Sequence, residues 1–209
     1  MQLLERRSAR TAAWAPRLWR PSDQAGAVLR AMAERMLTAP DTVCLGSEDA
    51  VLLGVRRGAG RVVVDHLESV SDDADELARL LTSVPAEAGE VAVFTPLADE
   101  VRLRATDAAG FVATGRWWVR DLPISLAVAG NLGAPRPGYS LAPPPPFHDP
   151  GGPIAVIGKA TSAQDLVEIG VDAAAREARV AVVIAGPGSP LETIAADAAY
   201  QPVAELRAR

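Results

Sequence analysis

A few short stretches of this 209-residue sequence hold residues whose types and spacing could do chemistry. Gly158-Lys159-Ala160-Thr161-Ser162 carries the chain's only lysine and offers two hydroxyls where a helical pattern begins. Backbone N–H groups and the positive end of a helix favour an anion, so the chemistry there would be phosphate binding. Ser162 reads equally well as an ordinary N-cap. Arg56-Arg57-Gly58-Ala59-Gly60-Arg61 joins glycines to arginines, yet Val62-Val63-Val64 follows it and a phosphate loop must open a helix. A basic hairpin turn is the simpler reading. On the valine-rich segment that follows, strand alternation places Val62, Val64, His66 and Glu68 on one face and Asp65 on the other. An imidazole beside a carboxylate suits proton transfer, and it also suits a solvated strand end. Trp117-Trp118 on a strand would send one ring inward and the other to a different surface, sheet packing or a ligand cleft. The lone cysteine, Cys44, reads as an inert buried thiol. One cysteine and two histidines, His66 and His148, predict neither a disulfide framework nor a metal site.

Elements must position these residues. Ser22 or Asp23 is expected to cap a helix carrying Val28, Leu29, Met32 and Met36, with Trp14–Arg20 a short strand before it. Thr42–Leu45 and Val51–Val55 predict an antiparallel hairpin, and Arg61–Ser69 a further strand. Ser71-Asp72-Asp73 caps a helix through about Ser83. Glu90–Thr95 then reads as strand, Asp99–Ala109 as helix, and Phe111–Val119 as a strand entered through Gly110. Residues 1–13 read as an arm and 122–153 as a Pro-rich linker, whose run Pro143–Pro146 favours polyproline II. Beyond it come strand Ile154–Ile157, helix Ser162–Arg176, strand Val180–Ala185, helix Ser189–Ala199 and strand Tyr200–Leu206. Strand–helix–strand–helix–strand thus occurs twice. At an offset of 89 residues Val91-Ala92-Val93 meets Val180-Ala181-Val182, Leu77 meets Leu166, and Phe111 meets Tyr200. The expected fold class is α/β with a mixed sheet, one unit over 14–121 and a partial repeat over 154–209.

Composition narrows the function classes. With 49% hydrophobic and 22% charged residues the chain has the composition of a folded domain, and its net charge of −5 argues against a nucleic-acid backbone as partner. The apolar run 124–129 is too short to span a bilayer, and MQLLERRSAR lacks a signal-peptide core, so a cytoplasmic protein is expected.

Residues 14–121 resemble the GNAT superfamily of acyl-CoA-dependent N-acetyltransferases. The resemblance rests on Leu18-Trp19-Arg20-Pro21-Ser22-Asp23 before an amphipathic helix, then three strands, helix, strand and helix, closing on Ala109-Gly110-Phe111. Arg136-Pro137-Gly138-Tyr139 looks like the start of a second, shortened copy. The resemblance implies acetyl-CoA or another acyl-CoA as cofactor, no metal, and a small-molecule or peptide amine as acceptor, with homo-oligomerisation left open. It implies Glu68 as the base with His66 as its neighbour, and Lys159, Thr161 and Ser162 as the residues for cofactor phosphate. The chain departs from the family at two places. The pyrophosphate loop Gln/Arg-x-x-Gly-x-Gly/Ala is replaced by Ser69-Val70-Ser71-Asp72-Asp73-Ala74-Asp75-Glu76, whose carboxylates would repel phosphate by about 1–4 kcal/mol per pair at ~4 Å. The family's tyrosine acid is replaced by Thr106, and by Ala195 in the second half. Three readings follow: an acyl-CoA-dependent N-acyltransferase of unusual sequence, a non-catalytic binding or regulatory protein of the same fold, and an unrelated α/β sandwich with no acyl chemistry.

Overall fold

Ala25, Leu29, Ala33 and Met36 recur at helical spacing and form the buried stripe of α1 (Ala25–Thr38). Its N-cap is Gln24, with no side-chain cap, instead of Ser22 or Asp23. The Ser22 hydroxyl instead donates to the Pro146 carbonyl at 3.0 Å. Among the described residues of 14–20 no strand forms. Leu18 and Trp19 lie in a turn, buried against the sheet. Short β-rich runs then give β1 (Thr42–Gly46), β2 (Ala50–Arg57) and β3 (Arg61–Ser69), joined by the basic turn at Gly58 and Gly60. Cys44 is exposed on β1 while its neighbour Val43 turns inward, so the buried-thiol reading is corrected. The first half continues with α2 (Ala74–Thr82), β4 (Glu90–Pro96), α3 (Glu100–Ala108) and β5 (Val112–Asp121). Within the stretch read as linker, Tyr139–Ala142 forms β6. It is followed by β7 (Ile154–Ile157), α4 (Ala163–Ala175), β8 (Val180–Ala185), α5 (Pro190–Asp197) and β9 (Gln201–Ala208). This computed structural model describes residues 10, 12–14, 17–47, 49–58, 60–85, 87, 89–123 and 134–209. Most of the expected arm, Ala59 of the basic turn and the run 124–129 lie outside them. No described helix is long and apolar enough to cross a membrane.

The described strands form one mixed nine-stranded sheet in the order β1-β2-β3-β4-β9-β5-β8-β7-β6. The pairs β3–β4 and β7–β8 are parallel, and the others are antiparallel. The last strand of each half is therefore inserted into the other half. β9 lies beside β4, and β5 beside β8. Their mutual pairing is self-symmetric. Shifting each residue by 89 turns Val112↔Ala208 into Val119↔Gln201, Ala113↔Arg207 into Trp118↔Pro202, and Gly115↔Leu206 into Trp117↔Ala204. Arg116↔Glu205 maps onto itself, and the skipped residues Thr114 and Val203 exchange. A pseudo-two-fold axis passes through that central ion pair, in which Arg116 Nη2 donates to Glu205 Oε1 at 2.7 Å. The carboxylates of Glu205 and Glu192 hold the Arg116 pKa above its ordinary value.

Helices α2 to α5 cover one face. Val62, Val64, Leu67, Leu77, Leu81, Val93 and Ala105 form the first core there, and Leu166, Ile169, Ile157, Val183 and Ala195 contribute to the second. Each fully buried aliphatic side chain contributes about 1.5–3 kcal/mol. On the opposite face Leu18 and Trp19 pack on Ile154, Val180 and Val182.

Candidate functional site

The resemblance directs attention to the gap between β3 and β4. These strands pair only from Arg61↔Glu90 to Val64↔Val93. Beyond that point β3 pairs with β2 and β4 with β9, so their ends part. A bulge marks the point of separation. Leu53 pairs with His66 and Gly54 with Val64, leaving Asp65 as the extra residue. Glycine suits position 54 opposite it, because a Cβ there would sit tightly, 3.0 Å from both the Val63 carbonyl oxygen and a Val62 methyl. The bulge also breaks the alternation expected from sequence. Leu67 takes the next place after Val64 in the helix-side core, while Asp65 and His66 both line the opposite face.

The parted ends are bridged by Arg102 of α3, which is 3% exposed. Its Nη2 donates to the Leu67 carbonyl on β3 at 2.7 Å and to Glu68 Oε1 at 2.6 Å. Its Nη1 donates to the Phe94 carbonyl on β4 at 3.2 Å. Asp99 fixes the start of α3 by accepting from the Arg102 backbone N–H. Glu68, expected as the base, is thus buried and ion-paired inside the gap. Thr106, in the place of the tyrosine acid, is buried and donates back to the Arg102 carbonyl at 2.9 Å.

The helix start beside this gap is also occupied. Asp73 caps α2 by accepting from the Asp75 and Glu76 backbone N–H groups. Asp72 receives both terminal nitrogens of Arg10, and Glu76 accepts from the Ser47 hydroxyl at 2.6 Å. In the second half Ser162 caps α4 by accepting from the Asp165 N–H at 3.1 Å. The Asp165 carboxylate accepts from the Thr161 N–H and hydroxyl at 2.9 and 3.0 Å. Those two bonds, the backbone one first, hold the Asp165 pKa below its ordinary value. Lys159 is exposed on the preceding loop. The two sets of expected residues do not converge. Glu68 and His66 stand on β3 and the Lys159–Ser162 loop follows β7, five strand spacings or about 24 Å apart across the sheet.

The first gap therefore does not fit an acyl-CoA. The strand carbonyls that such a ligand would meet already accept from Arg102, and the adjacent helix amides already donate to Asp73. The second helix start places a carboxylate where a phosphate would sit.

A different concavity lies on the other face of the sheet, over the centre where the halves meet. It has a volume of about 590 Å³ and is partly open to solvent. Its floor comes from both halves, with Val63, Asp65, His66, Phe94 and Trp117 from the first and Ile154, Val156, Val182 and Ile184 from the second. α1 contributes Leu29 and Met32, and the Pro-rich stretch contributes Pro143, Pro145 and Phe147. That stretch is held as a wall by residues 20–22. Asp149 N–H donates to the Arg20 carbonyl at 2.8 Å, Arg20 pairs with Asp149, and Ser22 N–H donates to the Phe147 carbonyl. Trp19, Phe94 and Trp117 stand edge to face, with centroids 6.0 and 5.1 Å apart. Trp117 faces this cavity, and Trp118 packs in the second helix-side core, as their adjacency on a strand requires. Sequence reasoning missed the cavity because its walls come from four distant segments. The signal within reach was the pairing of Trp19 with the Trp117-Trp118 dipeptide as aromatic outliers.

No protein-family model matches the chain, and no curated protein matches it. Among solved structures it is similar to a provisionally named acetyltransferase from Thermoplasma acidophilum, with a TM-score of 0.52 and 11% identity over 85% of this chain and 80% of that one. It is also similar to a tandem GNAT protein from the clavulanic acid biosynthesis pathway (TM-score 0.42, 14% identity, 82% and 84% covered). A third match is a GCN5-related N-acetyltransferase from Sphaerobacter thermophilus (TM-score 0.40, 12% identity, 87% and 85% covered). The likeness is one of fold. The chain shares its mixed α/β fold with the Thermoplasma protein.

Proposed function

We propose that this GNAT-fold chain is a non-catalytic small-molecule-binding protein whose ligand occupies the aromatic cavity. The supporting observation is Arg102. In the family that the chain resembles, the opening between these two strands admits the cofactor. Here a buried guanidinium fills it with hydrogen bonds to Leu67, Phe94 and Glu68. Each hydrogen bond to a charged group is worth about 1.5–3 kcal/mol, and expelling Arg102 would also break the buried ion pair of the Glu68 carboxylate. We further propose that 14–121 and 154–209 are related units, with the symmetric β5–β9 register as support. The cavity's volume falls within the range of ligand sites, about 300–1,000 Å³, and its wall draws on both units.

The test is release of free thiol from acetyl-CoA across a set of small amines and peptides. No turnover above spontaneous hydrolysis is expected, and amine-dependent release would overturn the reading. One observation favours a second reading, N-acyl transfer with an acyl-CoA held by Lys159, Thr161 and Ser162. A Cβ built at Gly158, Gly186 or Gly188 meets nothing within 4 Å, so the loops beside α4 and α5 are open. On that reading Lys159→Glu would abolish the amine-dependent release.

A further inference from the structure

Of the 19 described residues lining the cavity, only Asp65, His66 and His148 have ionisable side chains, and no lysine or arginine is among them. Each of those three makes interactions within the chain, so none of them depends on a ligand for a partner. An anion would enter without a basic side chain to receive it, and an apolar setting penalises a buried unpaired charge heavily. A cation would draw on aromatic faces or on a carboxylate. Trp19, Phe94 and Trp117, however, meet one another at interplanar angles of 87° and 72°, so in each contact the edge of one ring already covers the face of another. Asp65 in turn would have to exchange an existing interaction for the new one. The remaining wall is aliphatic and proline, which gains from hydrocarbon contact with no charge to pair.

We propose that the cavity is a binding site for uncharged, largely hydrocarbon small molecules, a few fused rings in size, with no more than a hydroxyl or carbonyl as a polar handle. Selectivity then comes from exclusion. Charged and uncharged analogues bury the same apolar area, and the cost of stripping water from the charge separates them. In naming the ligand class, the inference rests on the non-catalytic reading.

The test uses pyrenemethanol, pyrenemethylammonium and pyrenecarboxylate, which have nearly the same shape and differ in the charge of one small substituent. They are titrated into the full chain at about pH 8, above the ordinary imidazole range, and followed by energy transfer from tryptophan. The alcohol is expected to bind at least about tenfold more tightly than either ion. Ile184 pairs with Trp117 across β5 and β8 and is 43% exposed, so Ile184→Arg sets a guanidinium at the cavity without burying it fully. That variant should tighten the carboxylate several-fold while the alcohol gains nothing. Met32→Arg, on the α1 wall, should do the same and covers the case in which Ile184→Arg fails to fold. Val171→Arg, at an exposed position of α4 outside the cavity, should change none of the affinities. Failure of the alcohol to bind, no preference for it over either ion, a carboxylate affinity unmoved by both cavity variants, or an equal gain in Val171→Arg overturns the proposal. Amine-dependent thiol release from acetyl-CoA would instead overturn the non-catalytic reading and leave the order of affinities intact.

Discussion

In the first half, β3 and β4 part after Val64↔Val93 and a guanidinium spans the gap. In the second, β7 and β8 part after Ile157↔Val183, and the position 89 residues beyond Arg102 is Leu191, packed partly buried against the second core. The two gaps share their topology and differ in what occupies them. One holds a buried ion pair bonded to both strands, and the other is met by aliphatic packing beside open glycine loops. A charged plug that answers its own carboxylate and two main-chain carbonyls is a structural commitment. It removes the acceptors that a ligand would need and makes the vacated site costly. The aliphatic counterpart carries no such penalty, and ligand space moves to the face where both halves contribute.

The largest expected effect breaks this contrast at its source. Arg102→Met should cost about 3–5 kcal/mol, because Glu68 loses its buried ion pair with Arg102. Leu191→Ala, at a partly exposed aliphatic site, should cost only about 1–2 kcal/mol. Urea denaturation midpoints compare the two, and equal losses would remove the asymmetry. Replacing both members of the pair, Arg102→Met with Glu68→Leu, should recover most of the loss.

Next in size is Gly54→Ala, expected to cost about 1–3 kcal/mol by forcing a methyl against the Val63 carbonyl. The thermal midpoint should fall accordingly, and an unchanged midpoint would show that the bulge at Asp65 tolerates a side chain opposite it.

A smaller pair of effects tests the symmetry directly. Gly110 and Ala199 occupy equivalent positions after α3 and α5, with φ of 78° and 59°. Left-handed backbone suits glycine and disfavours alanine, so Ala199→Gly should gain and Gly110→Ala should lose about 1 kcal/mol each. Changes of the same sign would contradict the equivalence of the two turns.

The smallest effect concerns the α4 cap. The Asp165 pKa is lowered in the folded chain, so its contribution is complete above the ordinary carboxylate value and is lost as pH falls through the folded value. Stability should fade below about pH 4 by no more than ~0.5 kcal/mol from this exposed group, and Asp165→Asn should lack that component. Chemical denaturation at a series of pH values measures it.

Much of the fold was readable because it depends on local chemistry. Val62–Val64 favours strand wherever it is placed, Asp73 caps its helix through its own neighbours, and adjacent tryptophans must face opposite ways. The offset of 89 between Phe111 and Tyr200 was visible as spacing. That β5 and β9 would each insert into the other half was not visible, since partner choice across a sheet leaves no mark in either strand. The candidate site suffered most. One bulged residue, Asp65, separates His66 from the face of Val62 and Val64. The bond from Arg102 to Glu68 spans 34 residues. A clue existed in α3, where Arg102 shares the buried stripe of Ala105 and Thr106. A charge on an apolar stripe needs a buried partner. Likewise β6 was hidden among prolines because Tyr139–Ala142 is a short edge strand whose pairing depends on β7.

Calorimetric titration of acetyl-CoA into the full chain tests the closed gap most directly. With Arg102 bonded to Leu67, Phe94 and Glu68, no saturable heat is expected up to about 1 mM ligand, the limit of weak binding near −4 kcal/mol. A one-to-one isotherm in the micromolar range, lost in a Leu67-side variant such as Glu68→Gln but kept in Lys159→Glu, would contradict it.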